Sequence, residues 1–199
     1  MEIKRLRRDF FLKPSIDVAR ALVGCILQTT INGKAASVLI VETEAYPAHD
    51  PASHIYMRKP TPRTAVQLLL GGHLYPYSMR GYIMTSIVTG KEGTADVVFI
   101  RSAEPLTGIE VMKERRNYTS NDLHGLTNGP GKVSKALGIE MAHQALDVCS
   151  DNSLVVLFEK ALSRVPVLAG ERINIGISKV DPNLGIESLK RPWRFYLRG

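Results

Sequence analysis

Hydrophobic and polar positions along the chain change their spacing several times, and each change marks an element. From Val38 to Tyr46 the run V-L-I-V-E-T-E-A-Y has apolar side chains in both alternating sets of positions, which predicts an interior β-strand ending in two carboxylates and a tyrosine. A period of two puts Glu42 and Glu44 on the face of Val38 and Ile40, with Leu39, Val41, Thr43 and Ala45 on the other. A carboxylate placed there must be met by a hydrogen bond or a cation, so the strand end is either a structural ion pair or a reactive site. Cys25 to Ile31 and Ala36 onward flank Asn32-Gly33, a strong hairpin signal that gives this strand an antiparallel neighbour. Before them, Ser15 is read as the cap of a helix through Val23, with Ile16, Ala19, Leu22 and Val23 on one face and Gly24 as its stop.

Beyond Tyr46 the periodicity lapses over Pro47 to Pro60, a loop that carries His49 and His54. Thr61-Pro62-Arg63 then reads as the cap and first turn of a helix ending at Gly71-Gly72. Arg63 in a first turn works against the helix dipole, which points to an anionic partner. Extended runs follow at His73 to Met79 and Tyr82 to Val88, with Arg80-Gly81 at the bend between them. Tyr75 and Tyr77 share a face, and Pro76 points to an edge strand or a bulge. Asp96 to Arg101 is an apolar strand ending in an arginine, whose natural partner is Glu44 or Glu42. Leu106 to Arg116 reads as an amphipathic helix with Ile109 and Met112 inward and a solvated basic end. Gly129-Pro130-Gly131-Lys132 opens a further short helix, which reads either as a plain turn-to-helix junction or, through free amides and Lys132, as a phosphate seat; the P-loop spacing is absent. Strands are expected again at Leu154 to Phe158, Arg172 to Ile177 and Pro192 to Gly199.

Composition narrows the reading. With 199 residues, 44% of them hydrophobic, and no break in composition, the chain is expected to be one domain, residues 1–199. No 18-residue apolar run and no export signal is present, so neither a membrane span nor secretion is expected and the location is read as cytoplasmic. Cys25 and Cys149 match no metal spacing and are read as reduced thiols, with no metal site. The 26 Lys and Arg against 19 Asp and Glu give a net charge of +7, which suits a polyanionic partner.

Taken in order, Phe10-Phe11, V-E-T-E-A-Y at 41–46, His54, T-P-R at 61–63, Y-P-Y at 75–77, I-R-S-A-E-P at 100–105, N-G-P-G-K at 128–132 and P-W-R-F-Y-L-R-G at 192–199 resemble the alkyladenine (3-methyladenine) DNA glycosylase family over nearly the whole chain. The resemblance implies a mixed α+β fold, one compact domain around a curved antiparallel sheet or open barrel with flanking helices. It also implies removal of alkylated or deaminated purines from double-stranded DNA, with no cofactor and as a monomer. By position, Glu44 would be the general base that activates water and Arg101 would help hold it. Tyr46 and Tyr77 would stack on the two faces of the extruded base, and His54 would contact its edge. Such enzymes must swing the nucleotide out of the duplex. A tyrosine face favours a cationic base, which is already a good leaving group, so a carboxylate and a positioned water suffice and no strand cleavage is expected. This requires Glu44, Tyr46 and Tyr77 to open onto one cavity.

Two positions depart from the family pattern. Where a bulky aromatic commonly wedges into the gap left by the flipped nucleotide, this chain has Arg80, whose planar guanidinium can fill a stack. Where an asparagine commonly contacts the lesion, an ungapped count gives Ile87, and a shift of one gives Ser86. An isoleucine there cannot hydrogen-bond and would alter the range of bases. Two other readings compete. One is an O-glycoside hydrolase using Glu42 and Glu44 as its acid and base, for which the basic charge and stacking tyrosines have no purpose. The other is a non-catalytic binder of distorted or alkylated DNA.

Overall fold

The glutamate strand forms, and the rest of the chain is arranged about it. The computed structural model describes residues 4–159, 166–175 and 182–198. Helices α1 (Arg8–Phe11) and α2 (Ser15–Leu22) lead into β1 (Ile26–Ile31) and the long β2 (Lys34–Tyr46). Then follow β3 (Leu74–Met79), β4 (Tyr82–Thr89) and β5 (Asp96–Thr107), and after them α3 (Ile109–Arg116), α4 (His124–Thr127) and α5 (Pro130–Leu137). The described chain closes with β6 (Val155–Phe158), β7 (Val167–Gly170), α6 (Pro182–Lys190) and β8 (Arg194–Leu197). The sheet runs β3-β4-β5-β2-β1-β6, with β8 paired to β2 and β7, and its ladders are antiparallel. This is a single compact α+β domain built on a curled antiparallel sheet. Both hairpins turn as their sequences require: Asn32 and Gly33 (φ 55° and 71°) and Arg80 and Gly81 (φ 51° and 80°) are left-handed pairs, the twist that matches flanking strands.

What positions the site is a pair of register shifts in the β2–β5 ladder. Ile40 faces Ala103 and Glu42 faces Ser102, which leaves Val41 extra; Thr43 then faces Ile100, which leaves Arg101 extra. An extra residue in one strand reverses the alternation beyond it. Val38 and Ile40 belong to the main core, but so does Ala45, while the buried Thr43 hydroxyl donates to the Ala19 carbonyl of α2. The expected placement of Glu42 and Glu44 on the face of Val38 and Ile40 is therefore corrected. Thr43 and Ala45 continue that face, and Glu44 and Tyr46 point the other way. At the same place β2 exchanges β1 for β8 as its second neighbour, which bends the sheet.

The main core packs Leu22, Leu27, Ile40, Ile100, Met112 and Leu137, all essentially without exposure, between the sheet and its helices. A smaller cluster on the opposite face holds Val66, Tyr75, Tyr77, Val88, Val97 and Phe99.

Four local expectations are corrected. Ser15 is the first residue of α2, not its cap, and its hydroxyl donates to Asp96 Oδ2 at 3.0 Å. The helix expected after Thr61 shrinks to a 3-10 turn, Ala65–Leu68, because Thr61 and Thr64 bond each other locally and Gly71 and Gly72 are tied to the carbonyls of Gly90 and Val88. The basic end of α3 is not a solvated face: Arg115 donates to the carbonyls of Ile31, Lys34 and Ala136, and Arg116 to those of Gly125 and Leu126. The strand expected from Arg172 to Ile177 is absent over 171–175, where Asn174 turns the chain at φ 58°, and 176–177 lie outside the described residues. β7 just before it takes the edge beside β8.

Candidate active site

On the face of the smaller cluster lies a cavity of about 440 Å³, lined by Tyr46, His54, Tyr77, Ser86, Phe99 and Arg101 among others. That is the size of a small-ligand site. Tyr46 and Tyr77 stand on either side of Phe99, with ring centroids 6.4 and 6.1 Å from it. Tyr77 is backed by Tyr75, stacked at 5.3 Å and 30°. His54 meets Tyr77 edge-on at 4.7 Å, and its Nδ1 is 3.0 Å from the Tyr75 hydroxyl. Burial, helped by the charges of Arg63 and Arg58, pushes the His54 pKa down to about 4, so the ring is neutral at pH 7. With Nδ1 engaged, Nε2 is the nitrogen left for a ligand.

Glu44 has no exposed surface. Its carboxylate accepts from the Tyr46 hydroxyl (2.8 Å), Arg101 Nη1 (3.2 Å) and the Ile173 N–H (3.0 Å). Burial raises its pKa above the ordinary glutamate value, and the Arg101 charge, the Ile173 N–H and the Tyr46 hydroxyl pull against that rise. Arg101, the extra residue of β5, also donates to the Ile173 carbonyl at 3.3 Å, and its Nε lies 3.6 Å from Glu42. Glu42 is held mainly by Arg194, at 3.0 Å, as a structural ion pair. Tyr46 and Tyr77 do open onto one cavity, but Glu44 does not reach its surface. The groups that cover the carboxylate, Tyr46, Arg101 and Ile173, are themselves in the cavity wall, so one layer of atoms separates carboxylate from cavity.

Behind Tyr46 stands a group that sequence reasoning missed. The Arg172 guanidinium lies 4.6 Å from the Tyr46 ring centroid and 5.1 Å from that of Trp193. Its ion pair with Asp50 is fully buried, and it donates to the Ala45 carbonyl (3.0 Å) and to Ser188 Oγ (2.7 Å). An aspartate in a proline-rich loop and an arginine more than a hundred residues away carry no shared pattern, so no local signal marks them.

The remaining expected residues scatter. Ile87 is fully buried in the main core opposite Leu74, whereas Ser86, opposite Tyr75 and Phe99, lines the cavity. The register of β4 thus corrects the expected placement of Ile87 in the cavity: Ser86, the residue given by a shift of one, lines it instead. Arg80 is exposed at the tip of the β3–β4 hairpin and reaches the cavity rim, between the exposed Met79 and Tyr82. Arg63 is exposed on the 61–64 turn. Lys132 is exposed at the start of α5, bonded to Asn128 Oδ1 at 2.6 Å. It lies in a second groove with Arg116, Lys135 and Tyr82 that shares Met84 and Pro130 with the cavity.

An aromatic cavity of this size, on a basic domain, with an arginine in one wall and its carboxylate partner just behind it, is what a base-excising site would need. The methylpurine-DNA glycosylase (MPG) family matches residues 9–199, and the chain belongs to that family. Its relatives include proteins named "Putative 3-methyladenine DNA glycosylase" from Natranaerobius thermophilus (32% identical, covering 98% of this chain and 96% of the relative), Desulfitobacterium hafniense (36%, with 98% and 96% covered) and Bacillus cereus AH187 (36%, with 96% and 94% covered).

Proposed function

We propose that this chain excises alkylated purines of the 3-methyladenine type, and deaminated purines, from double-stranded DNA by hydrolysing the N-glycosidic bond. The observation that carries the reading is the shared cavity of Tyr46 and Tyr77, with the Glu44 carboxylate bonded to the back of its wall. A base between the two rings would present its sugar to that wall. Arg101 holds both Glu44 and the Ile173 carbonyl, so a shift of Ile173 off Glu44 Oε1 frees one carboxylate oxygen and leaves a place for water between two acceptors and a cation. Glu44 accepts the proton as water attacks C1′, and the base departs with the bonding electrons; a quaternised base leaves neutral. Neutral His54 offers Nε2 to the base edge, and Arg80 on its turn fills the gap in the duplex. Attack by water rather than by an amine forms no covalent imine, so the proposed step leaves the strand uncut. Arg63 and Lys132 are assigned to phosphates.

The test is incubation with methylated duplex DNA. Free 3-methyladenine together with alkali-labile but intact strands is the expected result, and tight binding without release of any base would favour the binding-only reading. Affinity should fall steeply with added salt, as phosphate contacts release counterions.

A further inference from the structure

The two rings of the cavity have unlike backs. Tyr77 rests on the neutral ring of Tyr75, while Tyr46 rests on the guanidinium of Arg172. That guanidinium is paired with buried Asp50, and Arg191 stands a further 4.0 Å from the same carboxylate. Neither Arg172 nor Asp50 lines the cavity. A tyrosine face attracts a cation through its ring electrons, and a second cation on the far side of the ring competes for the same electrons. Purines methylated at N3 or N7 within DNA are cations, whereas hypoxanthine is neutral.

Resting on the glycosylase reading above, we infer that the Asp50–Arg172 pair sets the preference of the Tyr46 wall between cationic and neutral bases. Arg172 opposes a cationic base in front of the ring, and Asp50 cancels most of that opposition. Both are positioning residues that act through Tyr46. A cationic base gives up its charge as the bond breaks, so the charge behind the ring acts on binding before the reaction more than on the bond-breaking step.

The experiment measures half-saturating enzyme concentration and maximal single-turnover rate on duplexes carrying 7-methylguanine or hypoxanthine. The proteins are wild type, Asp50→Asn, Arg172→Met, the double variant and Arg191→Met. Asp50→Asn leaves a bare cation behind the ring and should weaken binding of the cationic base relative to the neutral one by about tenfold, the scale of one unit charge at this range. Arg172→Met should shift the ratio about tenfold the other way, with Arg191 still beside Asp50. The double variant removes both charges and should return the ratio to within roughly twofold of wild type, a replacement that buried pairs often tolerate. Arg191→Met, at a partly exposed side chain, should move the ratio in the direction of Arg172→Met by about two- to threefold, and it serves if the buried variants do not fold. A pair that only holds the 47–54 loop would make both single variants lose affinity for both bases alike; an unmoved ratio, in Arg191→Met as well, overturns the inference. If wild type released neither base, the glycosylase reading itself would fail, a result distinct from release with an unmoved ratio.

Discussion

The two walls of the cavity are built from different physics. The Tyr77 ring, on the β3–β4 hairpin whose tip carries Arg80 at the cavity rim, has neutral neighbours: Tyr75 stacks behind it, and His54 is held uncharged by burial. The Tyr46 wall, at the end of β2, is a lattice of charge in which Glu44, Arg101, Asp50 and Arg172 are buried and mutually paired. A neutral wall can grip a flat base of any charge by contact. A charged wall can hold a carboxylate ready for proton transfer at the cost of desolvating it, which is why the Glu44 pKa is raised although three donors surround it. On the proposed reading, grip by shape and contact falls to one side, and preference by charge together with the chemistry to the other.

The contrast breaks hardest at the charged wall. Arg101→Met leaves Glu44 without its cation in a buried setting and should lower stability by about 3–5 kcal/mol, read by denaturant unfolding, and abolish measurable excision. On the neutral wall, Tyr77→Ala should weaken binding of lesion-bearing DNA by about 1–3 kcal/mol, the worth of one base stacked on a ring, while binding of undamaged DNA changes little. A weakening equal for both DNAs would remove Tyr77 from the base site.

His54 gives a pH test of the same wall. Its folded pKa of about 4 lies below the ordinary 6.5, so the unfolded chain binds the proton more readily, and stability is lost as pH falls from 6.5 towards 4. Relative to His54→Gln, wild type should lose on the order of 2 kcal/mol across that window in unfolding titrations. The smallest effect is expected from Tyr46→Phe, which keeps the ring and deletes the hydroxyl bonded to Glu44. Stability should fall by about 1 kcal/mol. Because that hydroxyl favours the carboxylate, its loss should move the acid limb of the excision rate to higher pH; an unmoved limb would separate Glu44 from the titrating group.

Much of the neutral wall is legible along the chain, because hairpins and alternation are local: the Arg80-Gly81 turn and the shared face of Tyr75 and Tyr77 follow from short-range rules, as does the Asn32-Gly33 turn that leads into β2. The charged wall was legible only in part. The pairing of Arg101 with Glu44 follows from two charged strand ends, but the shifts at Val41 and Arg101 leave no mark on the hydrophobic pattern, so the side of the sheet on which the glutamates fall was misread. Ile87 follows from an ungapped count against the family pattern, and only the register of β4 selects the one-residue shift to Ser86. Nor does any spacing announce that Ile173 and the Tyr46 hydroxyl close over the carboxylate, or that Asp50 meets Arg172.

The central claim is that the carboxylate beneath the Tyr46 wall drives release of a base held in the cavity. Glu44→Gln tests it most directly, compared with wild type in single-turnover release of free base from one methylated duplex, with folding of both checked by circular dichroism. Wild type should free the base, and the variant should be slower by about a thousandfold while still binding the DNA. Release by Glu44→Gln at the wild-type rate would contradict the claim.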